Sequence, residues 1–389
     1  MTTTKSLINL SSKAALLMAL TLNLVSCTDD NDGAVSYDIP STYEFTRDGA
    51  SSVSYSGQTE RLNMLAEMKV YVSKADGGEA IDAEVLLNMF ANENSPFVDA
   101  DLNASTKQIE DKTFISDVQF FKDLFQATET VSLEVSGNGT AADEGVAGKI
   151  ERGTSGNFIN VNEKGWEFTQ FVEKGLMGAL IYHQIFNVYL TDAKIGADID
   201  NETIAEGNKY TTLEHHWDEA FGYWGVPVNF PNGDPVLSDE SNRFWARYTN
   251  GRDELLDVNV PLMTAYITGR AAITANDHDT KNAQVAVIYA LHELIAAATA
   301  IHYINDAIEN LNSNDTGNLF HHLSEAYTFV MAIKYSPYAS LTTTQITTIL
   351  EENFGTDSNF WTVTIDGLNT AKSTLSNAYP ELTDVADNL

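Results

Sequence analysis

Apolar residues recur at three- and four-residue spacing through most of this chain, the period of a helix with one buried face. Leu62, Leu65, Met68 and Val72 mark such a face within residues 59–75, and Val118, Phe121 and Leu124 mark another within 115–127. The same spacing predicts helices over 162–190, 211–221, 239–256, 261–275, 280–310, 318–335, 343–354 and 359–378. Gly175, Gly178 and Ala179 give the first of these a small-residue face on which a second helix can lie close. Against them stands a single short strand reading, over 130–135, so the expected class is all-α.

Two stretches interrupt the pattern. Residues 136–156 are rich in Gly and Ser and open with Gly137-Asn138-Gly139-Thr140, which predicts a mobile loop dividing two helical lobes near 136–161. Residues 222–238 carry Gly225, Pro227, Pro231, Gly233 and Pro235 and cannot continue the helix before them. The chain's 389 residues exceed the length at which one core stops growing, about 250–300 residues, in keeping with two lobes or one large helical domain.

At the N-terminus Lys5 and Lys13 precede the apolar run 14–25, which closes in Leu24-Val25-Ser26-Cys27. A membrane span needs about 20 apolar residues, so this shorter run with a basic start reads as an export signal. Cys27 is the single cysteine, which excludes a disulfide framework and a Cys-based zinc site. Leu-Val-Ser-Cys resembles the bacterial lipobox, in which the cysteine is acylated and becomes the new N-terminus. The expected layout is a signal peptide over 1–26, an acidic tether over 27–45 and a helical domain over 46–389, with lipid on Cys27 holding the protein to outer-membrane lipid. Thr28-Asp29-Asp30-Asn31-Asp32 resembles the acidic export tag of Bacteroidota lipoproteins, which implies a place on the outer face of the outer membrane; an ordinary acidic linker fits the same residues.

Charge removes further classes. With 22 Lys+Arg against 55 Asp+Glu the formal charge is −33, the opposite of the basic surface that nucleic acid or an anionic membrane face demands.

Four of the eight histidines come in two pairs, His215-His216-Trp217-Asp218-Glu219-Ala220-Phe221 and His321-His322-Leu323-Ser324-Glu325-Ala326-Tyr327. On a helix, residues three and four apart share a face, so Glu219 lies beside His215 and His216, and Glu325 beside His321 and His322. Imidazole nitrogen with carboxylate oxygen makes a half-site for zinc or iron, and two half-sites on facing helices would complete a metal site inside a bundle. The expected metal ligands are His215, His216 and Glu219 with Asp218 as a secondary carboxylate, complemented or duplicated by His322 and Glu325. Each pair has a plainer reading too, as histidines hydrogen-bonded to a neighbouring acid. A second polar stripe, His292, Thr299, His302 and Asp306, spans about 80° of arc on the Ala-rich helix 280–310. Trp217, Tyr223, Trp224 and His292 are the expected ligand-binding residues around the metal.

Several enzyme signatures fail. His292-Glu293 opens like a zincin motif, but Ala296 stands where its second histidine belongs, and no Gly-x-Ser-x-Gly elbow, phosphate loop or dinucleotide fingerprint occurs in a strand-to-helix context. An enzyme here would work through carboxylates, histidines or a metal.

His216-x-x-Glu219 followed by Tyr223-Trp224-Gly225 resembles the Gly-x-His-x-x-Glu signature and nearby Trp-Gly of the imelysins, exported bacterial proteins of two related helical bundles. Glu214 stands where that family has glycine, and the Trp-Gly pair lies one residue further on. Residues 54–62, 173–179, 216–225 and 322–326 more closely resemble an uncharacterised family of Bacteroidota lipoproteins, domains of unknown function distantly similar to the imelysins. These resemblances imply an imelysin-like pair of bundles, a role as accessory to iron, metal or haem uptake, and an outer-membrane receptor or imelysin-type protein as partner. The expected function is thus a surface-anchored lipoprotein binding iron or another divalent metal, or a metal-bearing ligand. A metal-dependent hydrolase with Glu219 as general base is one rival, and a glycan-binding lipoprotein using Trp166, Trp217, Trp224, Trp245 and Trp361 is another.

Overall fold

Helix occupies 61% and strand 6% of the computed structural model, so the class is all-α. The structure describes residues 36–154 and 156–389; the predicted export signal, Cys27 and the first part of the predicted tether lie outside the described residues. Residues 37–389 form one compact unit.

A two-residue β-ribbon, β1 (Thr46–Arg47) with β2 (Ala50–Ser51), leads into α1 (Ser56–Val72), which buries Leu62, Leu65, Met68 and Val72 as their spacing predicts. Two short helices follow, α2 (Ala83–Ala91) and α3 (Ala100–Ala104), each capped by an aspartate side chain. At nine and five residues they are too short for a helical period to stand out. The next helix, α4 (Val118–Asn138), runs through the residues read as a strand. Thr and Val suggested extended chain there, but Val131 and Val135 are one helical turn apart and both are buried, so core packing overrides their β propensity. Gly139, at φ +67°, ends the helix.

The Gly- and Ser-rich stretch read as a mobile loop holds an antiparallel hairpin, β3 (Gly148–Arg152) with β4 (Asn157–Val161). Ile159 and Val161 enter the core, and Asn160 is tied by its backbone N–H to Asp76 (2.8 Å) and by its side chain to the Ala75 carbonyl (2.9 Å). Those ties reach 84 residues back along the chain, which local composition does not reveal.

The long element predicted over 162–190 is α5 (Phe168–Leu176) continued by two π-helical turns at Met177–Tyr182 and Ile185–Tyr189. Its small residues serve close packing: a Cβ on Gly178 would stand 2.9 Å from the Tyr335 ring and 3.1 Å from the Ala332 Cα. After the short α6 (Asp192–Ile195) come α7 (Thr212–Trp224), α8 (Phe244–Leu256) and α9 (Asn259–Thr274). The central pair is α10 (His278–Ser313) and α11 (Thr316–Ile333), joined through Asn314 at φ 57° and capped by Asp315. By length and composition α10 could cross a membrane, yet 67% of its most apolar window is buried inside the fold, as in a core helix. Finally α12 (Thr343–Thr348), continued by a π turn at Ile349–Asn353, and α13 (Ile365–Ala378) close the chain.

Candidate functional site

The first His-His-x-x-Glu motif lies on α7, whose N-terminus is held by a capping box between Thr211 and Glu214. The histidines turn away from each other. His215 Nδ1 meets the Ser54 carbonyl (3.0 Å) and its ring stacks on Tyr210, while His216 Nδ1 meets the Lys194 carbonyl (2.7 Å). Glu219 accepts hydrogen bonds from Gln58 Nε2 (3.0 Å) and the Tyr189 hydroxyl (3.0 Å), and stands 3.9 Å from His215 Nε2. Asp218 is fully buried and accepts from Arg270 Nε (3.0 Å), the Tyr43 hydroxyl (2.8 Å) and the Ser54 N–H (3.0 Å). Complete burial pushes its carboxyl up to about 6 against the pull of the guanidinium.

Sequence reasoning missed the centre of this network. Arg270, on α9, also donates to Glu214 Oε1 (2.9 Å), and Arg47 donates to Glu214 Oε2 (2.8 Å). Burial alone would raise Glu214, but the two guanidiniums with the Thr211 N–H and Thr274 hydroxyl hold it down at about 2. The visible signal was Glu214 itself, an acid at the position where the resembled signature has glycine. The neighbouring residues expected to bind ligand are core: Trp217, Tyr223, Trp224 and His292 are each no more than 1% exposed. Trp217 donates to the Tyr266 carbonyl (3.0 Å), Trp224 to the Thr249 hydroxyl (3.0 Å), and His292 Nε2 meets the Tyr266 hydroxyl (3.1 Å). Burial drives His292 down to about 3, so its ring is neutral.

The second motif, on α11, is arranged differently. His321, His322 and Glu325 each offer one ligand atom within 4.8 Å of the others, the one such trio of His, Cys, Asp or Glu among the described residues. His321 Nδ1 meets Glu167 Oε2 (2.6 Å), just before α5, and its Nε2 faces Glu325 Oε2 at 3.4 Å. Tetrahedral zinc with bonds of about 2.05 Å places neighbouring ligand atoms about 3.3 Å apart, so that pair already has the required spacing. His322 Nδ1 meets Asn310 Oδ1 (2.7 Å) and its Nε2 lies 3.9 Å from Asp306 Oδ2, both partners on α10. An amide oxygen only accepts, so His322 Nδ1 carries its hydrogen and its Nε2 keeps its lone pair; His321 takes the same form when Glu167 is ionised. That pattern of oxygen-oriented imidazoles is how metal-binding histidines are held. His302, from the second polar stripe, lies 3.6 Å from the same Asp306 oxygen.

The charges of this site are poised rather than cancelled. Burial brings both His321 and His322 down to about 4, leaving them neutral and able to ligate at neutral pH. Burial raises Glu325, against the pull of Lys174 and His321, and Lys174 Nζ sits 3.8 Å from its other oxygen. Burial also lifts Glu167 to about 7, and Asp76, near enough to repel it, to about 7 as well. His321, Glu167, Asp306 and Asn310 are the members that sequence reasoning left out of the site, although His321 stood in the motif and Asp306 on the predicted stripe. Glu167 lies 154 residues from its partner and had no local signal.

The two motifs do not form one site. No hydrogen bond or ion pair among the described residues joins them; α7 rests on α1, α6, α9 and the turn at Ile185–Tyr189, whereas α11 rests chiefly on α10, α5 and β3. Neither curated proteins nor solved structures include a match to this chain. Residues 40–382, nearly all of the described fold, match the family described as Domain of unknown function (DUF4856), and the chain belongs to that family.

Proposed function

We propose that this protein binds a divalent transition metal, zinc or iron, through His321, His322 and Glu325, and serves as a lipid-anchored accessory to metal uptake at the outer membrane. One observation carries the reading: two neutral, oxygen-oriented imidazoles and a carboxylate on successive turns of α11, with ligand atoms already within 4.8 Å of each other. Three protein ligands leave coordination positions free for water or for a ligand carried with the metal. The formal charge of −33 concentrates cations near the surface, and the lipobox-like Cys27 supports anchorage to outer-membrane lipid. An outer-membrane receptor or an imelysin-type protein is the fitting partner for such a role.

The test is titration of the purified chain with zinc and ferrous iron, read by calorimetry and elemental analysis. One equivalent is expected, with His322→Ala and His321→Ala each losing more than about 100-fold in affinity, beyond the 10- to 100-fold typical of an orienting partner. His216→Ala, on the first motif, should bind like the parent. Absence of binding by the parent, or retention by both α11 variants, would sink the reading.

A further inference from the structure

Well before the histidine cluster along α10, a cleft of about 600 Å³ opens between the first half of that helix, residues 186–195 and the loop 337–340. This volume suits a small organic molecule. Phe186, Leu190, Val285 and Ala290 supply apolar wall, and the Tyr289 and Tyr338 rings meet edge to face at 5.3 Å. The polar lining is Asn187, Thr191, Asp192, Asn282, Ser340 and Glu293; among the described residues that line the cleft there is no lysine or arginine.

Glu293 is the unusual member. It is 3% exposed, and its carboxylate accepts only from neutral groups: the Ser336 hydroxyl, the Ser340 N–H (3.3 Å) and the Tyr379 hydroxyl (3.4 Å). No ion pair holds it among the described residues, in contrast to Glu214 with two guanidiniums and Glu325 with Lys174. His292, adjacent in the chain, is turned to Tyr266 and is neutral. The nearest lysine on the same helix, Lys281, is spent on the Ile195 carbonyl and starts about 18 Å away along the helix axis, twelve residues at about 1.5 Å each. Burial without a counter-charge raises the Glu293 carboxyl against the pull of Ser336, Ser340 and Tyr379, and its spare lone pair leaves room for a cation from outside that would hold it ionised.

We infer that this cleft binds a small organic ammonium ion, its nitrogen meeting Glu293 and its apolar body lying against Phe186, Tyr289 and Tyr338. A bare divalent metal fits poorly, because among the described residues Glu293 and Asp192 belong to no group of three ligand atoms close enough to share an ion and replace its hydration shell. Neutral or anionic ligands would leave Glu293 uncompensated, whereas an ammonium ion gains both the charge-assisted hydrogen bond and the faces of two tyrosine rings.

Three probes of one shape test this on the full chain in the presence of a chelator, which keeps the outcome independent of any metal at the α11 cluster. Phenethylamine, 2-phenylethanol and phenylacetate are titrated in parallel by calorimetry. The amine should bind at least about tenfold tighter than the alcohol, the strength expected of one hydrogen bond to a charged group, and phenylacetate should be weakest. Glu293→Gln should remove the preference for the amine over the alcohol, and Tyr338→Ala, at a residue 74% exposed, should lower amine affinity about threefold. Should Glu293→Gln fail to fold, Ala290→Lys, exposed on the cleft wall and one helical turn from Glu293, places a competing ammonium beside it and should abolish amine binding. Equal affinity for amine and alcohol, no amine binding at millimolar concentration, or full amine affinity in Ala290→Lys overturns the inference.

Discussion

Two near-copies of one seven-residue pattern sit on α7 and α11, and they meet opposite surroundings. On α7 the acids are neutralised by arginine: Glu214 is clasped by Arg47 and Arg270, and Asp218 by Arg270, while both histidines spend Nδ1 on backbone carbonyls facing different ways. On α11 the acids lie near Lys174 and Arg152, Glu167 and Asn310 meet the two Nδ1 atoms, and the Nε2 atoms face Glu325 and Asp306. The comparison teaches that a histidine–carboxylate spacing on a helix specifies a face and nothing more. Whether that face becomes a structural clamp or a compact His–Glu cluster depends on what other elements bring to it: on α7 two guanidiniums bind the acids directly, and on α11 Glu167 and Asn310 meet both imidazoles.

The sharpest way to break this contrast is to remove the clamp. Arg270→Ala leaves Asp218 without its cationic partner and Glu214 with Arg47 alone, both acids no more than 1% exposed. It should cost about 3–5 kcal/mol in denaturant unfolding at neutral pH, the range for breaking a buried ion pair. If folded protein is recovered, its affinity at the α11 cluster should be unchanged. Next in size, Glu167→Gln keeps a hydrogen bond to His321 but withdraws the carboxylate, and should weaken metal binding about 10- to 100-fold with little change in fold; an unchanged affinity would show that Glu167 does not orient the ring.

A pH series sharpens the comparison further. Glu214 has a folded value near 2, below the unfolded 4.5, so its stabilising share is complete above about pH 4.5 and fades as pH falls through about 2. Asp76 and Glu167 run the other way: raised to about 7 from 3.8 and 4.5, they take up protons on folding, so their share of stability declines as pH rises toward 7. His321 and His322, lowered to about 4 from 6.5, release protons on folding and add stability over the same climb. The carboxyl pair and the histidine pair therefore oppose each other between about pH 4.5 and 6.5. Asp76→Asn should unmask the histidines, and its stability relative to the parent should increase with pH across that window in urea titrations. A parallel pair of curves would remove Asp76 from the account. The smallest effect is expected at the exposed Lys209–Asp48 pair beside the α7 cap: Lys209→Ala should shift stability by less than about 1 kcal/mol.

Legibility followed distance along the chain. The faces of α1, α10 and α11 could be read directly, because helical burial repeats every three to four residues and each repeat lies within a few turns. The hairpin at 148–161 was read as a loop, since Gly and Ser say nothing about Asp76, 84 residues away, receiving Asn160. The π turns after α5 were likewise not legible; they depend on how the helix seats against its neighbours. Glu293 was noticed only as part of a failed zincin pattern, and its isolation from positive charge emerged from the residues that happen to surround it.

The amino-acid order alone determined that this is a helical protein, that His321, His322 and Glu325 share a face, and that a single cysteine and an acidic charge exclude a disulfide framework and a basic binding surface, since periodicity and composition are local properties. Tertiary structure alone decided which of the two matching motifs brings its imidazole and carboxylate atoms within 4.8 Å of one another. The reason is reach: Arg270 comes to Asp218 across 52 residues and Glu167 to His321 across 154, and only packing can carry a charge or an acceptor that far.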